Sequence, residues 1–141
     1  MTQLDELRKR VTAIGKLTIR VGVFGANASR AHPSGGGSVG EIAIRNHYGA
    51  PGVPARPFLT YALRKHRRAI QETFRGVVAS GATPEQVGEL VGAFAAGAVQ
   101  ETISDRIPPP NAPATVAAKG SDVPLIDSGI LRQSISYEVT K

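Results

Sequence analysis

Apolar residues recur along this chain at changing periods, and each period indicates an element. Leu4, Leu7, Val11 and Ile14 are spaced by three, four and three residues. That spacing draws one apolar stripe along a helix over residues 3–14, and Gly15 is a suitable stop. From 16 to 24 the period falls to two. Leu17, Ile19, Val21 and Val23 alternate with Lys16, Thr18, Arg20 and Gly22, the pattern of a half-buried strand.

Residues 25–39 carry no apolar pattern. Gly35-Gly36-Gly37 is not followed by Gly-Lys-Ser/Thr, so it is not a phosphate-binding loop. A flexible loop is expected, of a length that is uncommon unless it has a role or orders on a partner. His32 within it reads as a loop histidine. Residues 39–48 fit a short helix capped by Ser38, although the alternation at Ile42 and Ile44 also allows a strand.

Next comes Asn46-His47-Tyr48-Gly49-Ala50-Pro51-Gly52-Val53-Pro54-Ala55-Arg56-Pro57-Phe58-Leu59. Proline fixes its own φ and pushes the preceding residue toward extended backbone. Pro54 and Pro57 therefore predict a stiff elbow, with Pro57 at the first helical position and Arg56 at the corner. A helix over 57–79 follows, with Leu59, Ala62, Leu63, Ile70, Phe74, Val77 and Val78 on one side. Thr83-Pro84-Glu85-Gln86 then announces another helix, over 84–105, with an N-cap, a proline in the first turn and a capping box. Val87, Leu90, Val91, Phe94, Ala98 and Val99 give its apolar face. Gly88, Gly92 and Gly97 are costly inside a helix and point to close approach of another backbone.

Pro108-Pro109-Pro110 and Pro113 mark an extended segment over 107–124. Residues 124–134 read as a turn into a short helix, with Asp127 as its cap. At the end Ile135, Tyr137 and Val139 alternate with Ser134, Ser136 and Glu138. The expected fold is a single α+β domain over 1–141. Strands near 16–24 and 133–140 pair antiparallel and pack with the N-terminal helix and the two long helices.

Composition narrows the partners. The chain carries a formal charge of +6 and a pI near 10.2, a balance that favours an anionic partner. Arg64, Lys65, His66, Arg67 and Arg68 form a basic run, but consecutive residues wrap around a helix, so they cannot share one face. The run is a candidate patch for a polyanion or an acidic protein surface. Arg8-Lys9-Arg10 reads as a solvated helix face, with phosphate contact as the alternative. Aromatics make up 5% and there is no tryptophan, so base stacking is poorly supplied. No apolar run has the length of a membrane span. With no cysteine, disulfides and thiolate metal sites are excluded. The histidines lack zinc-ligand spacing, Asp127-Ser128 lacks the nucleophile-elbow glycines, and no carboxylate pair stands out. A non-enzymatic protein without cofactor or metal is expected.

Two motifs carry a family resemblance. Ile44-Arg45-Asn46-His47-Tyr48-Gly49 with Val53-Pro54-Ala55-Arg56-Pro57-Phe58-Leu59 resembles an Asn-Glu-Phe/Tyr-Gly … Ile-Pro-Ala-Arg-Pro-Phe-Leu element. Lys119-Gly120-Ser121, Pro124-Leu125-Ile126-Asp127-Ser128-Gly129-Ile130-Leu131 and Ser134-Ile135 resemble a C-terminal Lys-Gly … Pro-Leu-Ile/Val-Asp-Ser/Thr-Gly-x-Leu … Ser-Ile element. Both belong to the small neck and tail-completion proteins of long-tailed bacteriophages, the virion-morphogenesis family. His47 departs from the acidic residue usual there.

The resemblance implies a structural virion protein, made in the host bacterial cytoplasm. It would form a homo-oligomeric ring of six subunits between connector or stopper and tail-terminator or tail-tube proteins. It makes Tyr48, Gly49, Pro54, Arg56, Pro57, Phe58, Leu125, Asp127, Gly129 and Leu131 candidates for subunit or partner contacts. Arg64, Lys65, Arg67 and Arg68 would face DNA in the lumen or acidic neighbours. The alternative from charge alone is a basic DNA-binding protein, although no helix-turn-helix or zinc pattern accompanies it.

Overall fold

The computed structural model describes residues 2–31, 37–105 and 129–141. In chain order the elements are α1 (Gln3–Gly15), β1 (Thr18–Gly22), α2 (Gly25–Ser29), α3 (Val39–Tyr48), α4 (Phe58–Lys65), α5 (Arg67–Ala79), α6 (Pro84–Ile103), α7 (Ile130–Ser134) and β2 (Ser136–Thr140). The fold is α+β, with β1 and β2 forming a two-stranded antiparallel sheet.

The longest helix, α6, touches most of the other elements: α1, α4, α5, α7 and both strands. Its start follows from the sequence. The Thr83 side chain accepts from the Gln86 N–H at 3.2 Å, and the Gln86 side chain accepts from the Thr83 N–H at 2.9 Å. This reciprocal pair satisfies two amides that a helix start leaves open. Val87, Val91, Ala95, Val99 and Ile103 run along its buried side.

Two apolar clusters sit toward opposite ends of α6. Near its start, Ile14, Val87 and Val91 pack with Leu17, Ile19, Ile70, Val77, Val78 and Ala82. Near its end, Ala96, Val99 and Ile103 pack with Val39, Phe58, Ala62, Ile130, Leu131 and Ile135. Arg10 also fixes α1 to the turn between α5 and α6, donating to Val78 O at 2.7 Å and Ala82 O at 2.9 Å.

A two-stranded ribbon is marginal alone, so β1 and β2 lie on α6. Ile19 pairs with Val139 and Val21 with Tyr137. Across from them, Gly88 and Gly92 leave room for Val139 and Tyr137. These two glycines therefore accommodate side chains of β2, where the sequence suggested another backbone. Gly97 has open space around it.

Two other expectations change, and the helix read over 39–48 is borne out against its strand alternative. Residues 25–29, read as part of a flexible loop, form α2. Beyond it, Ala31 and Ser38 form an antiparallel bridge. Residues 39–48 resolve as helix, and Ser38 accepts from the Glu41 N–H at 3.2 Å. The helix over 57–79 divides at His66, whose φ of −99° and ψ of 8° lie in the bridge region. The extended segment 107–124, the Asp127 cap and His32 lie outside the described residues.

Candidate assembly surface

The elbow is built by three backbone devices in sequence. Gly49 ends α3 at φ 83° and ψ 165°, a conformation open to glycine, and its N–H donates to Arg45 O at 2.8 Å. Pro51 and Gly52 then occupy the centre of a tight turn, closed by Val53 N–H to Ala50 O at 2.8 Å. Gly52 has φ 76°, and proline followed by a positive-φ glycine is the order of a type II turn. Finally Pro57, at φ −73° and ψ 68°, makes an inverse γ-turn in which Phe58 N–H donates to Arg56 O at 2.7 Å. Pro57 is thus the N-cap and Phe58 the first helical residue, where the sequence suggested Pro57.

These turns fold the elbow back onto α3. Arg56 N–H donates to Asn46 O at 2.7 Å, and the Asn46 side chain donates to Ile42 O at 2.9 Å. Arg56 is 5% exposed and Phe58 is fully buried. Burial holds the Arg56 guanidinium below its ordinary pKa. The His47 ring meets Tyr48 at 4.6 Å and Phe58 at 5.6 Å between centroids, both edge-on. Its Nδ1 is buried without a hydrogen-bond partner, and burial lowers its pKa.

The candidate contact residues therefore divide. Arg56, Phe58 and Leu131 are buried inside the subunit, so their side chains are used for folding. Gly49 and Gly129 are half-buried and serve backbone geometry, Gly129 with φ 76° at the start of α7. Tyr48, Pro54 and Pro57 remain exposed. Leu125 and Asp127 lie outside the described residues.

Beside Tyr48 is a groove of about 320 Å³ between α2, α3 and α4. Small residues Ala28, Gly40 and Ala43 line it together with Ile44, His47, Tyr48, Phe58 and Leu59. Ile44 is 60% and Tyr48 is 76% exposed, large values for side chains of that size. For residues 39–48 the sequence offered a Ser38 cap and the alternation at Ile42 and Ile44, with no groove in either. The groove was not legible there because α2 was not.

A second apolar surface lies on α1. Of the stripe read from the sequence, only Ile14 is buried. Leu4, Leu7 and Val11 are 55%, 52% and 56% exposed. On the α5–α6 pair, Phe74, Leu90 and Phe94 also face water.

The basic run does not form one patch. The break at His66 separates Arg64 and Lys65 on α4 from Arg67 and Arg68 on α5. Lys65 is engaged with Asp105 at 2.6 Å, which raises its pKa. Arg64, Arg67 and Arg68 are exposed. Among the described residues no group of three His, Cys, Asp or Glu side chains is placed to hold a metal ion, and no helix is long and apolar enough to cross a membrane.

Comparison with family models, curated proteins and solved structures finds no match for the chain.

Proposed function

We propose that this chain is a structural subunit of the neck of a long-tailed bacteriophage, one that assembles into a ring between the head connector and the tail tube. The observation that carries the assembly reading is the apolar surface standing in water on α1 and on α3. Contiguous exposed apolar patches mark interaction surfaces. A ring subunit needs two unlike surfaces, because each copy meets its neighbours through different faces. The particular assembly is suggested by the two sequence motifs. The first of them coincides with the elbow, whose turns fix the angle between α3 and α4.

Gold labelling of the chain in phage particles, viewed by negative-stain microscopy, tests this reading. Label should fall at the neck, and a null mutant should accumulate separate heads and tails. Label elsewhere, or joined particles from the null mutant, removes it.

A second reading, DNA binding, draws on the exposed arginines 64, 67 and 68 around the His66 break. It predicts a duplex affinity that falls steeply with salt. Failure to retard DNA at low salt eliminates it.

A further inference from the structure

We infer that the concave surface lined by Lys9, Thr12, Lys16 and Lys141 seats the phosphate backbone of duplex DNA. The inference rests on the DNA-binding reading and gives it a different surface from arginines 64, 67 and 68.

The trough follows from the order of residues in α1. Lys9, Thr12, Ala13 and Lys16 recur at i, i+3, i+4 and i+7, so they share one face of the helix. That face lies across the helix from the Leu4, Leu7, Val11 and Ile14 stripe. Lys16 is also the C-cap of α1, a place where a cation is favoured. The chain then enters β1, and Thr18 pairs with Thr140 of β2. This pairing brings Lys141 to the same place, and the five residues line a trough of about 360 Å³.

The cations there are available. Of the cluster Arg8-Lys9-Arg10, Arg10 turns inward to the Val78 and Ala82 carbonyls, whereas Lys9 lines the trough and Arg8 is exposed. Lys9 and Lys16 make no ion pair among the described residues. Lys141 donates to Glu85 at 3.2 Å, with 70% and 64% of the two side chains exposed, and exposed pairs of this kind are weak. Two further carboxylates lie nearby on α1. Asp5, one turn before Lys9, is held by Thr2 in the capping box, and Glu6 is exposed. The lining itself holds three lysines and no acid. Like charges gathered around one concavity repel, and an anion seated among them relieves that repulsion.

The residue types select the anion. Lysine meets phosphate oxygens as a point charge, whereas bidentate grip on carboxylates is the work of arginine, which the lining lacks. Thr12 adds a hydroxyl of the kind that donates to phosphate. Lys9 and Lys16 stand seven residues apart, about 10.5 Å along the helix. That is about three steps of a DNA strand at 3.4 Å each, so a backbone lying along α1 meets both. No aromatic lines the trough, which leaves bases without a stacking platform and favours duplex over single strands. Binding is therefore expected to be independent of sequence.

The test uses the full chain and two double variants, Lys9→Gln/Lys16→Gln in the trough and Arg67→Gln/Arg68→Gln at the start of α5. All four side chains are exposed, so far-UV circular dichroism should show both variants folded. Fluorescence anisotropy with short duplexes of two unrelated sequences, repeated across a salt series, reads the contact. Each lysine engaged with phosphate adds about 0.9 to the slope of log K against log salt. The lysine variant should therefore bind more weakly, with a slope shallower by about 1.8. The arginine variant should keep the slope of the wild type. Lys9→Arg/Lys16→Arg should restore it, because charge alone is needed. Amide shifts on adding duplex should fall at 9–16 and 140–141 and spare 64–68, a pattern that a change in net charge does not produce.

A lysine variant with the wild-type slope, beside an arginine variant that loses binding, overturns the trough but leaves the DNA-binding reading on arginines 64, 67 and 68. A wild type that fails to bind duplex at low salt removes both. Preference for single strands or for one of the two sequences also overturns the inference. If the lysine variant binds duplex like wild type yet fails to enter phage particles, the trough takes an acidic protein surface and the inference falls.

Discussion

Gly92 of α6 lies against the ring of Tyr137 on β2, so close that a Cβ at this position would come within 2.9 Å of the ring's Cγ and 3.0 Å of Cε2. The ring cannot easily give way. Its hydroxyl donates to Glu89 Oε2 at 2.6 Å, a bond that raises the phenol pKa above its ordinary value. Beside it, a Cβ on Gly88 would approach Val139 Cγ1 to 2.6 Å. The sheet thus rests on α6 through two missing side chains.

This contact separates two substitutions of the same kind in one helix. Gly92→Ala should lower stability, with overpacking costing about 1–3 kcal/mol against a helix-propensity gain of about 1 kcal/mol. Gly97→Ala meets open space and should raise stability by about 1 kcal/mol. Urea unfolding of the two variants checks the sign of each. A destabilised Gly97→Ala, or a Gly92→Ala that gains as much stability as Gly97→Ala, would contradict the packing described.

The elbow arginine and the basic run make a second pair. Arg56 is buried against its own subunit, whereas Arg67 is exposed on α5. Arg56→Ala removes buried packing and leaves polar surroundings without their partner, a loss of about 1–3 kcal/mol. Arg67→Ala should stay within about 0.5 kcal/mol of wild type. Thermal unfolding of the isolated chain distinguishes them, and equal midpoints would refute the assignment of Arg56 to the fold.

Local pattern reached the elements whose signals are short-range. The Thr83-Pro84-Glu85-Gln86 start, the period-two strands and the Leu4–Ile14 stripe are each written in adjacent residues, and each appears in the structure. What pattern could not supply is which apolar residues find a partner. The α1 stripe reads as core, yet three of its four members face water because α6 reaches only Ile14. Likewise α2 has no apolar period, being five residues of Gly, Ala, Asn and Ser. It forms where Gly40 of α3 lets the Ala28 backbone approach. Without α2 the groove could not be foreseen. The break at His66 escaped for a related reason: no glycine or proline marks it, and the apolar spacing runs through it.

Two glycines of the elbow should differ in what they tolerate. Gly49 holds φ 83° and ψ 165°, and a Cβ there would also press on the Ala55 N–H at 3.1 Å. Gly49→Ala should cost about 1–3 kcal/mol. Gly52 has φ 76° but nothing within 4 Å of an added Cβ, so Gly52→Ala should cost about 1 kcal/mol, the penalty for left-handed backbone alone. Unfolding midpoints in the order wild type, Gly52→Ala, Gly49→Ala check this ranking.

His47 sets a pH dependence with a definite sign. Burial lowers its pKa below the ordinary value of 6.5, and its Nδ1 has no hydrogen-bond partner to welcome a proton. In the unfolded chain the imidazole takes up a proton as pH falls through about 6.5, while in the folded chain it resists until lower pH. Between those two points the unfolded state binds more protons, so stability declines on acidification. Above that window the contribution is constant. Thermal unfolding measured at pH values on both sides of 6.5 should show the midpoint falling on the acid side. A His47→Gln variant keeps a polar side chain of similar reach without the titration, so its midpoint should be flatter across the same range. Because the ring lies edge-on to Phe58 and Tyr48, acidification should also loosen the groove rim, visible as faster amide exchange at 44–49 than along α6. Parallel pH profiles for wild type and His47→Gln would assign the acid sensitivity to other groups.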